Sequence, residues 1–168
     1  IGYECLRGGT SDDGGTVDAN LFLVSHSNVA IGFQCGQFIG SGAENNVLIG
    51  YQCAKAATGT GKFVGDNNTY MGYKCGLVNI GGYQNVGIGT LCLQANTTGY
   101  KNVAMGYQSA YNNIAGFQNV SIGNNCMYGL ESYSGVVRNV AIGYECGLYI
   151  KTRVGEGDYT LSNVLIGN

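Results

Sequence analysis

The chain repeats one short phrase, Asn-Val-x-Ile-Gly, usually followed by Tyr-x-Cys. It reads Asn28-Val29-Ala30-Ile31-Gly32-Phe33-Gln34-Cys35, then Asn46-Val47-Leu48-Ile49-Gly50-Tyr51-Gln52-Cys53. It returns at Asn68, Asn85, Asn102, Asn119, Asn139 and Asn163, and Ile1-Gly2-Tyr3-Glu4-Cys5 is the tail of an earlier copy. A recurring unit of this kind stacks on itself, because it cannot bury its apolar face alone. The expectation is an all-β parallel β-solenoid or β-roll of about nine coils, forming a single domain over residues 1–168.

The steps Met71 to Ile88, Ile88 to Met105 and Met105 to Ile122 are each 17 residues, which sets the basic coil. Longer steps carry insertions, placed near 7–25, 58–66, 129–138 and 150–162. Asn-Val-x-Ile-Gly alternates with period 2 and is β-branched, which is a strand pattern. Gly32 and its equivalents permit a sharp corner. Tyr-x-Cys is expected to form a second short strand, with Tyr and Cys on one face. Turns such as Asn96-Thr97-Thr98-Gly99 return the chain. The recurring Asn suits a turn, where it satisfies backbone groups and stacks on the next Asn.

The expected orientation points Val and Ile into the coil. The residue between them is then outward, and it is Ala30, Leu48, Tyr70, Gly87, Ala104, Ser121, Ala141 and Leu165. None of these is charged, and strands buried on both faces lose their polar alternation. These eight are therefore expected to form an oligomer interface. Ordering 17 residues costs at least as much as burying one coil's Val, Ile and Cys returns, so stacking and association must supply the margin.

Seven cysteines cannot all pair within one chain. Cys5, Cys35, Cys53, Cys75, Cys92, Cys126 and Cys146 each sit four residues after the motif Ile or Met, and Ser109 fills that slot in another copy. The expectation is a core ladder of buried free thiols, since Cys behaves as a small hydrophobe. Disulfides between coils or chains are the alternative. No His or second Cys lies at ligand spacing, so no metal is expected.

Net charge of −2 gives no electrostatic basis for nucleic-acid binding, and no apolar run reaches membrane-span length. High Gly with no Pro excludes collagen, and 45% hydrophobic content excludes disorder. The chain reads as a segment of a longer fibrous protein.

The 17-residue units running from Asn85 to Lys101 and from Asn102 to Gln118 resemble the repeats of viral and phage tail-fibre proteins. The Asn-x-Val-Ala-Ile-Gly pattern is also similar to the head repeats of trimeric autotransporter adhesins. The resemblance implies a left-handed homotrimer at a virion surface or outside the cell, attaching to a host-surface glycan or protein receptor. In tail fibres such repeats often precede a self-releasing chaperone domain, and this segment contains none. Two departures stand out: Cys occupies the slot usually held by Ala or Ser, and the period exceeds that of the adhesin head.

Candidate ligand-binding residues are the aromatic stripe Tyr83, Tyr100 and Phe117, and Lys151, Arg153 and Tyr159 in the last insertion. Aromatic faces stack on sugars, whereas a purely structural ladder of rings is the competing reading. A polysaccharide-degrading, tailspike-like enzyme is an alternative function. It needs two close carboxylates, and Glu4 and Glu145 share a slot but lie seven coils apart. Glu156 and Asp158 lie in a Gly-rich loop, and His26 is the chain's one His, without a nucleophile motif beside it. No catalytic residues and no cofactor are assigned, and the chain is read as a non-enzyme. An ice-binding solenoid is a further alternative, but Thr69, Thr90, Thr97 and Thr98 occupy different slots.

Overall fold

A computed structural model describes residues 27–40, 42–56, 63–129, 136–148 and 162–167. Every described motif copy supplies one three-residue strand. These are β1 (Val29–Ile31), β2 (Val47–Ile49), β3 (Thr69–Met71), β4 (Val86–Ile88), β5 (Val103–Met105), β6 (Val120–Ile122), β7 (Val140–Ile142) and β8 (Val164–Ile166). All eight lie in one sheet in sequence order. Each pairs in parallel with the next, motif position on motif position: Val86 on Val103, Gly87 on Ala104, Ile88 on Met105. The described residues contain no helix. The architecture is an all-β parallel β-solenoid.

Parallel strands need a crossover connection, and here the rest of each coil provides it. The remaining sides of the coil are turns, hydrogen-bonded rung to rung. Gly36 N donates to Cys53 O at 2.9 Å and Leu93 N to Ser109 O at 3.0 Å. The described backbone of the coils is thus paired rung to rung in the turns as well as along the sheet, which satisfies those polar groups.

The corner after each strand depends on glycine. Gly89 has φ of 133°, and a Cβ there would run into the carbonyl of Gly106 on the next rung. Beyond it, Tyr-x-Cys is a turn and not the expected second strand. Its middle residue lies in the left-handed region, as at Gln52 (φ 51°), Lys74 (51°) and Gln108 (52°). A left-handed residue cannot continue a strand. It swings the aromatic out and the Cys in: Tyr107 is exposed, while the next slot, Ser109, is buried. Tyr and Cys therefore do not share a face.

The recurring Asn forms an unbroken ladder. Asn102 Oδ1 accepts from Asn119 N at 3.0 Å and from Asn119 Nδ2 at 3.2 Å. Asn102 Nδ2 donates to Asn85 Oδ1 at 3.1 Å and to Gly116 O at 2.7 Å. The same linkage runs from Asn28 to Asn163. From Asn46 to Asn119 each amide binds the rung on either side and also donates to a carbonyl of the following return turn. A second, shorter series closes the return turn: Asn79, Asn96 and Asn113 each donate to the carbonyl of a glycine three residues on.

The inside of the coil differs from expectation. Ala30, Leu48, Tyr70, Ala104, Ser121 and Ala141 are buried within the single chain, and Gly87 lies beside them. They point inward against the cysteines and are not an outward oligomer face. The eighth, Leu165, is 36% exposed on the last described rung. Val and Ile are the outward residues: Val29 is 48% and Ile31 45% exposed. Side-chain volume explains the inversion. The coil is narrow, and its inner positions are filled mainly by Cys, Ala, Ser and Asn, with few larger residues. Two β-branched columns per coil do not fit inside.

The expected insertions are shorter at their ends than the spacing suggests. Phe63 pairs with Ile39, and Val137 with Phe117, as isolated parallel bridges. Phe63, Val136 and Val137 are all buried. These residues, placed within 58–66 and 129–138, belong to the wall of the coil. The insertion at 7–25 and nearly all of 150–162 lie outside the described residues.

Candidate functional site

Three series of side chains run along the rod, and each follows from one motif position. The inner series is the thiol ladder. Cys35, Cys53, Cys75, Cys92, Cys126 and Cys146 are all buried and free; Cys5 lies outside the described residues. The left-handed residue before each described Cys turns its sulfur into the coil, and four of them meet a backbone carbonyl of the next strand. Cys53 donates to Tyr70 O at 3.2 Å, Cys75 to Gly87 O at 3.2 Å and Cys92 to Ala104 O at 3.1 Å. Ser109 does the same to Ser121 O at 2.8 Å, and its Oγ also lies 2.8 Å from Ser121 Oγ. Where the slot changes from Cys to Ser, the inward residue of the next rung is thus a second hydroxyl.

The described thiols are shielded from solvent. Burial, followed by the neighbouring Cys92, pushes Cys75 well above the usual thiol range. Cys53 is raised well above it too, first by its hydrogen bond to Cys35 and then by burial, while that same bond lowers Cys35. Burial raises Cys126. Reactive cysteines are lowered and accessible, and buried ones are inert.

The second series is aromatic. Tyr83, Tyr100 and Phe117 are brought together as the sequence implies. Their rings stack at 4.8 and 4.7 Å between centroids, each pair within 4° of parallel. Both faces of Tyr100 are thereby covered by its neighbours. A sugar that stacks on an aromatic needs a free face, so this ring offers only its edge and hydroxyl. Lys151, Arg153 and Tyr159 lie outside the described residues, as does His26.

The third series was not anticipated as a site. The outer face of the sheet carries a Val column (Val29, Val47, Thr69, Val86, Val103, Val120, Val140, Val164) and an Ile/Met column (Ile31, Ile49, Met71, Ile88, Met105, Ile122, Ile142, Ile166). Each of these residues is half-buried or exposed. Beyond the corner glycine stands a further column, Phe33, Tyr51, Tyr73, Thr90, Tyr107, Asn124 and Tyr144. Phe33, Tyr51 and Tyr73 stack at 5.2 and 5.5 Å. No residue in the three columns is charged. The signal was present in the sequence as the constancy of Val and Ile, but constancy alone does not say which way a column faces.

Among the described residues, no group of three His, Cys, Asp or Glu is placed to hold a metal ion. Among the described residues, no helix is long and apolar enough to cross a membrane. No family model, curated protein or solved structure matches this chain.

Proposed function

We propose that this chain is a structural and attachment element of a fibre at a virion surface or outside the cell. It is a homotrimeric shaft or head of about nine left-handed coils that presents loops to a host-surface glycan or protein receptor. The observation that supports this reading is the unbroken one-to-one register of eight parallel strands. Seven steps of ~4.8 Å make a rod of roughly 34 Å, and each added repeat extends it without a new fold. Such a stack suits reach and rigidity. The loops that interrupt the repeat are the places where a ligand contact can vary without disturbing the ladders.

Two measurements test the reading. Purified chain is applied to a glycan array and to intact host-type cells, with electron microscopy of the particles in parallel. Straight rods that bind a defined surface ligand are expected. Rods without any surface binding would leave a spacer and remove the attachment role. Turnover of a capsule polysaccharide would replace the reading with a tailspike-like enzyme.

A further inference from the structure

The outer sheet face is a continuous uncharged surface, and soluble monomers rarely leave a large one uncovered. Val29, Ile31, Met71, Met105 and Ile142 are between 38% and 48% exposed along its length, and Tyr51, Tyr73, Tyr107 and Tyr144 between 45% and 54% beside them. We infer that this face is a self-association surface, occupied by the same face of further copies of this chain. The inference rests on the reading of the chain as an oligomeric fibre element, and it names the surface through which the copies meet.

Three observations select a second copy as the occupant. The first is spacing. The three columns repeat once per rung, at ~4.8 Å. Another stack of the same rungs presents the same repeat, so knobs and gaps stay matched along the whole rod. A partner of different architecture loses that match after a few rungs.

The second is composition. Interface centres are depleted in charge and enriched in aromatics and Met. The columns contain Tyr, Phe, Met, Ile and Val and no charged residue. The nearest charges among the described residues are Lys101 and Arg138 before the Asn ladder and Lys74 and Glu145 within the corner turn, with Lys74 Nζ 5.2 Å from the centroid of the Tyr73 ring. They form a polar border around an apolar centre.

The third is area. Eight rungs by three columns cover roughly 450 Å² in flat projection, from ~4.8 Å per rung and ~3.3 Å per residue along the strand. Two such faces bring together roughly 900 Å² of projected surface, and standing side chains carry more accessible area than their projection. The projected figure is of the same order as the roughly 1,200 Å² at which specific interfaces begin. The half-buried Val, Ile and Met residues are also those a coil cannot turn inward, because the narrow interior is already full.

The test is sedimentation of the chain over a concentration series, with circular dichroism to follow the fold. The native chain is expected to be an oligomer that survives reductant and high salt, because the face holds no ion pairs and no exposed thiol among the described residues. Ile88→Lys is expected to give a folded monomer. Should that variant fail to fold, Val86→Thr/Val103→Thr/Val120→Thr provides the second arm. It places at three rungs the residue that Thr69 already places on this column, so the coil tolerates it. It is expected to weaken association about ten-fold or more, as each buried methyl is replaced by a hydroxyl. An oligomer of unchanged affinity in the triple variant would overturn this face while leaving the oligomeric reading standing. A native chain that stays monomeric at high concentration would overturn both.

Discussion

The ring of Tyr70 occupies the space that a side chain at Gly87 would need. A Cβ on Gly87 would lie 2.8 Å from Tyr70 Cδ1 and 2.9 Å from Cys75 Sγ. Gly76 makes room on the other side, where a Cβ would lie 2.7 Å from the same ring. One large residue is thus admitted to a coil otherwise lined by small ones, and two glycines surround it. The Tyr70 hydroxyl accepts from Asn79 Nδ2 at 3.1 Å, so its polar end is satisfied in the interior.

This pairing makes the two positions energetically dependent. Gly87→Ala is expected to destabilise the rod by about 1–3 kcal/mol, the usual effect of overpacking. In a Tyr70→Leu background the same change should cost markedly less, since the ring it meets is gone. Denaturant midpoints of the four proteins in a double-mutant cycle measure the coupling. Equal costs of Gly87→Ala in the two backgrounds would show that the ring and the glycine do not meet.

The asparagine ladder predicts a defect in the hydrogen-bond chain at a single atom. Asn102→Asp keeps the acceptor for Asn119 but replaces the donor that serves Asn85 Oδ1 and Gly116 O. Two acceptors then face a carboxylate, and buried polar groups left unpaired cost about 1–3 kcal/mol each, more when charged. The variant is expected to be less stable than the native chain at pH 7. It should recover part of the loss near pH 4, where a protonated carboxyl donates again. Thermal melts across that range check the direction; a variant as stable as the native chain at pH 7 would mean the ladder is not formed.

Much of this fold is legible in the repeat. The eight strands fall on Val-x-Ile of each copy, Gly32 and its equivalents turn the corners, and the Asn residues stack as their side chains suggest. The cysteines are buried and free wherever described. Two inferences failed: Tyr-x-Cys is a turn and not a second strand, and the first strand faces the other way. Ala30, Ala104 and their equivalents except Leu165 are indeed covered, as their lack of charge implies, but by their own coil and not by a partner. Period-2 alternation fixes which residues share a face without fixing which face is inside. Volume decides it here, and volume depends on how tightly the turn after each strand closes. That closure rests on left-handed Gln, Lys, Leu, Asn and Glu residues, of which Asn alone is a side chain that favours this conformation.

Alkaline pH should loosen the interior. Cys53, Cys75, Cys126 and Tyr70 are all raised in the folded chain, Tyr70 and Cys75 chiefly by burial. A group raised by folding favours the folded state while it remains protonated. The stability from Cys53, Cys75 and Cys126 is complete below the unfolded thiol value of about 8.5, and that from Tyr70 below about 10. Both are lost as pH rises through the higher folded values. Melting temperature is expected to be level between pH 6 and 8 and to fall above about pH 9. A thiol reagent at pH 8 should leave the six described cysteines unmodified until the chain unfolds.

The direction of the two strand faces is the claim on which the rest depends, and adjacent residues of β5 test it most directly. Ala104 is fully buried and Met105 is 38% exposed. Ala104→Glu and Met105→Glu are compared by thermal unfolding, followed by circular dichroism. The account predicts that Ala104→Glu fails to form the β-solenoid or melts far below the native chain, because it buries a charge without a partner. Met105→Glu should keep the fold and lose only association. The reverse ranking, with Ala104→Glu tolerated and Met105→Glu unfolded, would contradict it.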